Sequence, residues 1–226
     1  MALEISLKLL LSILMYSSIV MVAFSMFRMT AMDDPKVIAV IGLSVGAANY
    51  YFKFIVLSQL FILISLMLFI VLSMILLRIP FLYSALMCIT GLIYAFVVDM
   101  VVSMIFIGLH LTTAEELNSP RLLLFALMNI SFILINTLTY LFLKRYKIGF
   151  IFIARKFHTS NGLKPHNFLW ATVLIIGVAY AQFTIYNMDL QSMHFVMLIV
   201  MVLILFVILN YSYNQNKRHI NDRFRR

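Results

Sequence analysis

The stretch VIAVIGLSVGAANYYF, residues 37–52, decides how many times this chain crosses a membrane. Its 16 residues rise about 24 Å as an α-helix, short of a hydrocarbon core about 30 Å thick. If the stretch spans, seven helices cross and the N-terminus is outside. If it lies flat in the interface, six cross and the N-terminus is inside. Gly42 and Gly46 form a G-x-x-x-G pair followed by Ala47 and Ala48, a pattern that lets helix backbones approach closely in lipid. That favours a packed span. Seven spans are expected, with six as the alternative, and the helices on either side of Lys53 are expected to form a tight hairpin.

The rest of the chain places that stretch in a membrane. Hydrophobic residues make up 64% of the 226 and charged residues only 11%, more apolar surface than one soluble core can hide. Further apolar stretches run over residues 5–27, 54–77, 81–109, 121–143, 168–187 and 194–213. The first has too long an apolar run for a cleaved signal peptide, and no small-x-small site follows it. The expected fold is all-α: a polytopic transmembrane helix bundle over residues 1–213, then a basic cytoplasmic tail over 214–226. The single Cys88 excludes an internal disulfide and a cysteine-built metal site.

Charge placement orients the bundle, because short cytoplasmic loops are enriched in Lys and Arg. The segment 144–165 carries Lys144, Arg145, Lys147, Arg155, Lys156 and Lys164 with no acid. The tail carries Lys217, Arg218, Arg223, Arg225 and Arg226 against Asp222. Both are expected inside, against an anionic leaflet, so the net charge of +9 points to a lipid surface and not to nucleic acid. Glu115 and Glu116, and separately Asp189, lie in loops poor in cations and are expected outside. Arg78 and Pro80 mark an inside turn. The expected location is the cell membrane, with the C-terminus cytoplasmic and the N-terminus outside. Within residues 146–158, Gly149 and the flanking cations interrupt the apolar run, so this stretch is read as lying in the inner headgroup layer, the alternative being that helix five continues past Lys144 before a loop.

Chemistry is sparse. No phosphate-binding loop, metalloprotease motif, nucleophile elbow or paired-cysteine motif is present, so no catalytic residue, metal or cofactor is expected. The five histidines sit at helix ends or in loops, and the 16 methionines follow no M-x-x-M array. Three intramembrane polar residues are candidate ligand contacts: Asp99, Asn129 and Gln182. Asp99 has long apolar runs on both sides and must face a partner, water or the bundle interior. Counted from Arg78 it lies 21 residues on, about 31 Å along a helix, in the outer part of the membrane. It is either the floor of an externally accessible pocket or a carboxylate at the interface, with residues 101–111 lying over the surface. Asn129 and Asn136 are seven apart and share a helix face with Thr137 and Thr139 nearby, a pattern expected to bond across helices.

The order of elements resembles the membrane sensor of accessory-gene-regulator-type and competence-type peptide pheromone receptors of Gram-positive bacteria. The shared features are a long first helix, a short second, a tight turn, and a third helix ending in a basic residue. RIPFLYSALMCITGLIYAF, residues 78–96, then opens the fourth helix, and a basic loop precedes the final pair. The resemblance implies a module that binds a secreted peptide from outside and controls a cytoplasmic histidine kinase. The family's dimerising helix and ATP-binding domain do not follow residue 213, and His219 is not read as a phosphoacceptor. The resemblance therefore implies a sensor without its kinase, either a stand-alone relative or a receptor cut at that boundary: a kinase-less peptide-sensing or signal-modulating protein acting with the bilayer, an extracellular peptide, and a second copy or a separate histidine kinase. The alternative is a small transporter subunit or an immunity-type membrane protein.

Overall fold

The computed structural model describes residues 2–29, 34–57, 60–113, 121–146, 149, 199, 202–207, 210 and 213. Five α-helices form the described bundle: α1 (Ala2–Met26), α2 (Pro35–Tyr50), α3 (Phe61–Leu77), α4 (Phe81–Gly108) and α5 (Leu122–Tyr146). No strand occurs among the described residues. Four helical rods, Glu4–Met26, Pro35–Ile55, Tyr83–Gly108 and Leu122–Tyr146, are long and apolar enough to cross a membrane. Helix α3 is apolar but shorter, at 17 residues. Of the expected last two helices, residues 199, 202–207, 210 and 213 are helical; the other residues of those segments lie outside the described ones.

The second segment is longer than expected. After Tyr50 the helix does not turn; it widens into a π-helix over Tyr51–Ile55, closed by the Val56 N–H on the Tyr51 carbonyl at 3.0 Å. The rod Pro35–Ile55 has 21 residues and reaches about 30 Å. Lys53 therefore lies inside a helix, and the turn falls after it, at Val56 and Leu57, delaying α3 to Phe61. The hairpin expected at Lys53 is corrected by the length of its stem, because lysine keeps four methylenes in apolar surroundings while its charge reaches polar ones.

Local chemistry sets the helix ends. Asp34 caps α2, its carboxylate accepting from the Lys36 N–H at 3.0 Å, with Pro35 in the first turn where no N–H is needed. Helix α1 closes with Met29 N–H on the Phe24 carbonyl and Arg28 N–H on the Ser25 carbonyl, a Schellman motif with Arg28 left-handed at φ 46°. Helix α4 closes in the same way through Leu111, His110, Phe106 and Ile107, with His110 at φ 55°. Arg78 ends α3 in the left-handed region, and Pro80 precedes α4.

Helix α1 is the axis of the bundle, packing against α2, α4 and α5. Val22, Ala23 and Phe24 on it, and Phe27 just past its end, are fully buried. Its approach to α2 rests on the two glycines. A Cβ at Gly46 would stand 2.6 Å from the Ile13 Cα, and one at Gly42 would stand 2.8 Å from the Ser17 Cα. At the crossing with α4, a Cβ on Gly91 would meet the Ala23 Cβ at 2.5 Å. Small residues are needed because lipid offers helices no hydrophobic drive to associate, so close packing must supply the attraction.

Helices α3 and α4 are tied by hydroxyls. Ser84 donates to the Ile70 carbonyl at 2.9 Å, and the buried Cys88 thiol lies 3.6 Å from the Ser73 hydroxyl. Helix α5 leaves Leu123, Leu127, Ile130, Leu134, Leu138 and Leu141 exposed at helical spacing, as a lipid-facing stripe requires. It runs to Tyr146, three residues beyond the expected 143. Of the segment read as interfacial, only Tyr146, in helix, and Gly149 are described; a Cβ at Gly149 would stand 2.7 Å from the Met26 carbonyl at the end of α1.

Candidate functional site

Polar side chains from α1, the rod Pro35–Ile55, α3 and α4 gather on this apolar bundle, some buried and some at its surface. Ser65, buried on α3, donates to the Phe61 carbonyl at 2.7 Å. That leaves its oxygen lone pairs to accept, and the buried Asn49 of α2 donates to it at 3.1 Å. Tyr16, buried on α1, lies near the same serine. One turn beyond Asn49, the π-helix presents Lys53, and α4 presents Asp99. The placement of the two charges follows from the rods: Lys53 is 18 residues beyond Pro35 and Asp99 is 18 beyond Phe81. With α2 and α4 running the same way, both lie about 27 Å along their helices.

Aromatic rings frame the lysine. Its Nζ lies 5.3 Å from the centre of the Phe54 ring and 5.5 Å from that of Phe61, within the range of cation–π attraction. Phe54 is itself held between Tyr50, 5.3 Å away, and Phe125 of α5, met edge-on at 5.8 Å. Lys53 and Asp99 are exposed on the protein, whereas Tyr16, Asn49 and Ser65 are buried. The cluster thus has a charged open side and a neutral hydrogen-bonded base. A π-turn at its centre fits a pattern in which such turns mark functional sites, because the extra residue redirects side chains.

Helix α4 continues through Asp99 to Gly108, and Val102 and Ser103 beyond it are buried, so residues 101–108 belong to the same helix as Asp99. Close packing of those side chains fixes this turn of α4, with Asp99 on its exposed side.

The remaining candidates separate. Asn129 donates to the Phe125 carbonyl of its own helix at 2.8 Å, one turn from the ring that meets Phe54. Asn136 does bond across helices, donating to Ser18 of α1 at 3.0 Å, while its buried Oδ1 has no partner among the described residues. Thr139 meets the Tyr94 hydroxyl of α4 at 2.7 Å, and Thr137 donates to its own helix at Ile133. Lys144 and Arg145 are exposed at the end of α5. Gln182, Lys147, Arg155, Lys156, Lys217, Arg218, Arg223, Arg225 and Arg226 lie outside the described residues.

Tyr16, Asn49, Lys53 and Ser65 escaped the sequence reading. The available signal was Asn49 and Lys53, four apart at the end of an apolar stretch and so on one helix face. Among the described residues no three His, Cys, Asp or Glu side chains converge. No family model, curated protein or solved structure matches the chain.

Proposed function

We propose that this chain is a peptide-sensing or signal-modulating protein of the cell membrane, of the Gram-positive quorum-sensing type. In this reading the cluster of Tyr16, Asn49, Lys53, Ser65 and Asp99 receives an external ligand. The observation that carries it is a charged, hydrogen-bonded cluster shared by four rods of an otherwise apolar bundle. Charges in lipid are costly and are kept where they serve a substrate, a ligand or a relay. Charge placement in the loops puts the cluster end of α2 and α4 outside.

The route inward is α1, which reaches the cluster at Tyr16 and ends at Arg28, beside Gly149 and the start of the basic segment. A ligand that rearranges the cluster shifts α1 against α2 along the Gly42–Gly46 contact, and that shift reaches the inner surface. The receiving partner is a histidine kinase, joined to a second copy of the chain or to this one through its helices.

A chimera tests this. A histidine kinase module fused after Arg226 should change its autophosphorylation when conditioned medium from the source culture is applied outside. Asp99→Asn should abolish that response while leaving the amount of folded protein unchanged. A silent kinase together with altered solute flux on expression would replace sensing with transport.

A further inference from the structure

The lysine in the cluster is held as a ligand would be held. Its ammonium lies within cation–π range of two phenyl rings, and Asp99 stands at the same level along the parallel helix α4; rings and a carboxylate together are the set of groups that recognises an ammonium or a guanidinium. The rings are fixed independently of the lysine. Phe54 is packed by Tyr50 and Phe125, and Phe61 opens α3. Asp99 is fixed as well, since its neighbours Val98, Met100 and Val102 are buried in the bundle. Lys53 is the adaptable member: exposed, on a flexible stem, and two residues from the end of the π-turn.

We propose that Asp99 and the rings of Phe54 and Phe61 form a recognition site for a cationic group on an external ligand, a site that the chain's own Lys53 occupies until the ligand displaces it. The proposal rests on the reading of this cluster as the ligand site and names the chemistry of what it takes. An anionic ligand is disfavoured because it would bring a second negative charge against Asp99. The expected outer loops point the same way: Glu115, Glu116 and Asp189 give that surface an acidic field that draws cations. Displacement exchanges one cation for another at constant net charge and sends the Lys53 ammonium into water.

The exchange is read at Lys53 itself. The 226-residue chain in lipid nanodiscs is titrated with methylguanidinium at constant ionic strength. A brief pulse of an amine-acetylating reagent follows, and acetylation is measured at Lys53, with Lys8 and Lys36 as internal references. Release from the two rings should raise labelling of Lys53 about threefold and saturably, with the references unchanged. Asp99→Asn should remove the rise, and so should Phe61→Leu, which keeps a similar apolar volume without the ring. Lys53 labelling that stays flat, that rises in parallel with Lys8 and Lys36, or that rises with N-acetylglycinate in place of the cation overturns the proposal. A Lys53 response beside a silent kinase chimera supports the cation site and removes peptide sensing; a responding chimera with a flat Lys53 does the reverse.

Discussion

A methyl group added at Gly46 measures how tightly α1 and α2 are packed. Built on the backbone, it would stand 2.6 Å from the Ile13 Cα and 2.9 Å from the Ser12 carbonyl oxygen. Carbon atoms rest at about 3.5–4.0 Å, so the helices must part by about 1 Å, and backbone cannot swing aside as a flexible side-chain tip does. A gap of that size forfeits a quarter to a half of each atom pair's attraction, and a pair contributes only about 0.1–0.2 kcal/mol. Over the tens of pairs along this contact the loss comes to about 1–3 kcal/mol, the range of overpacked cores. Alanine's better helix propensity returns at most about 1 kcal/mol, so Gly46→Ala should destabilise by about 1–2 kcal/mol. The assay is reversible unfolding by SDS in mixed micelles, followed by far-ultraviolet circular dichroism. Gly108→Ala is the control. A Cβ there meets no heavy atom within 4 Å, so the same substitution should be neutral or slightly stabilising. Equal stability of the two variants would refute the close approach of α1 and α2.

Three further outcomes follow from the same geometry. A double-mutant cycle with Lys53→Gln and Asp99→Asn, read by the same unfolding assay, should give a coupling of about 0.5–3 kcal/mol; additive effects would mean that the charges do not interact. Asn136→Leu removes a buried oxygen that has no partner while Ser18 keeps its bond to the Met15 carbonyl, so stability should be unchanged or raised by up to about 1 kcal/mol; a loss beyond 1 kcal/mol would show that the Asn136–Ser18 bond outweighs the orphaned oxygen. On intact cells, in a Cys88→Ser background, Asn118→Cys should react with an impermeant thiol reagent and Asn161→Cys should not; the reverse pattern would invert the bundle.

How far each feature was legible depends on the distance over which its signal acts. The Gly42–Gly46 face could be read because its pattern lies within five residues of one helix and its meaning is steric. The polarity of Asp99 was legible too, since the cost of a lone charge in lipid needs no partner to be known. Its neighbours were not. Lys53 stands 46 positions earlier on another helix, and Asn136 finds Ser18 across 118. Residue spacing along one helix carries no information about such pairings. Lys53 also concealed the length of its helix. A charge after an apolar run reads as a boundary, yet here aromatic faces and a π-turn carry it inside the rod.

The central claim is that the cluster opens to the outside of the cell. Lys53→Cys, again with Cys88→Ser, puts a thiol at the open side of the cluster. An impermeant thiol reagent applied to intact cells should modify it without permeabilisation, at a rate lowered when methylguanidinium is present beside Asp99. Modification that appears only after permeabilisation would place the cluster on the inner side and contradict the account.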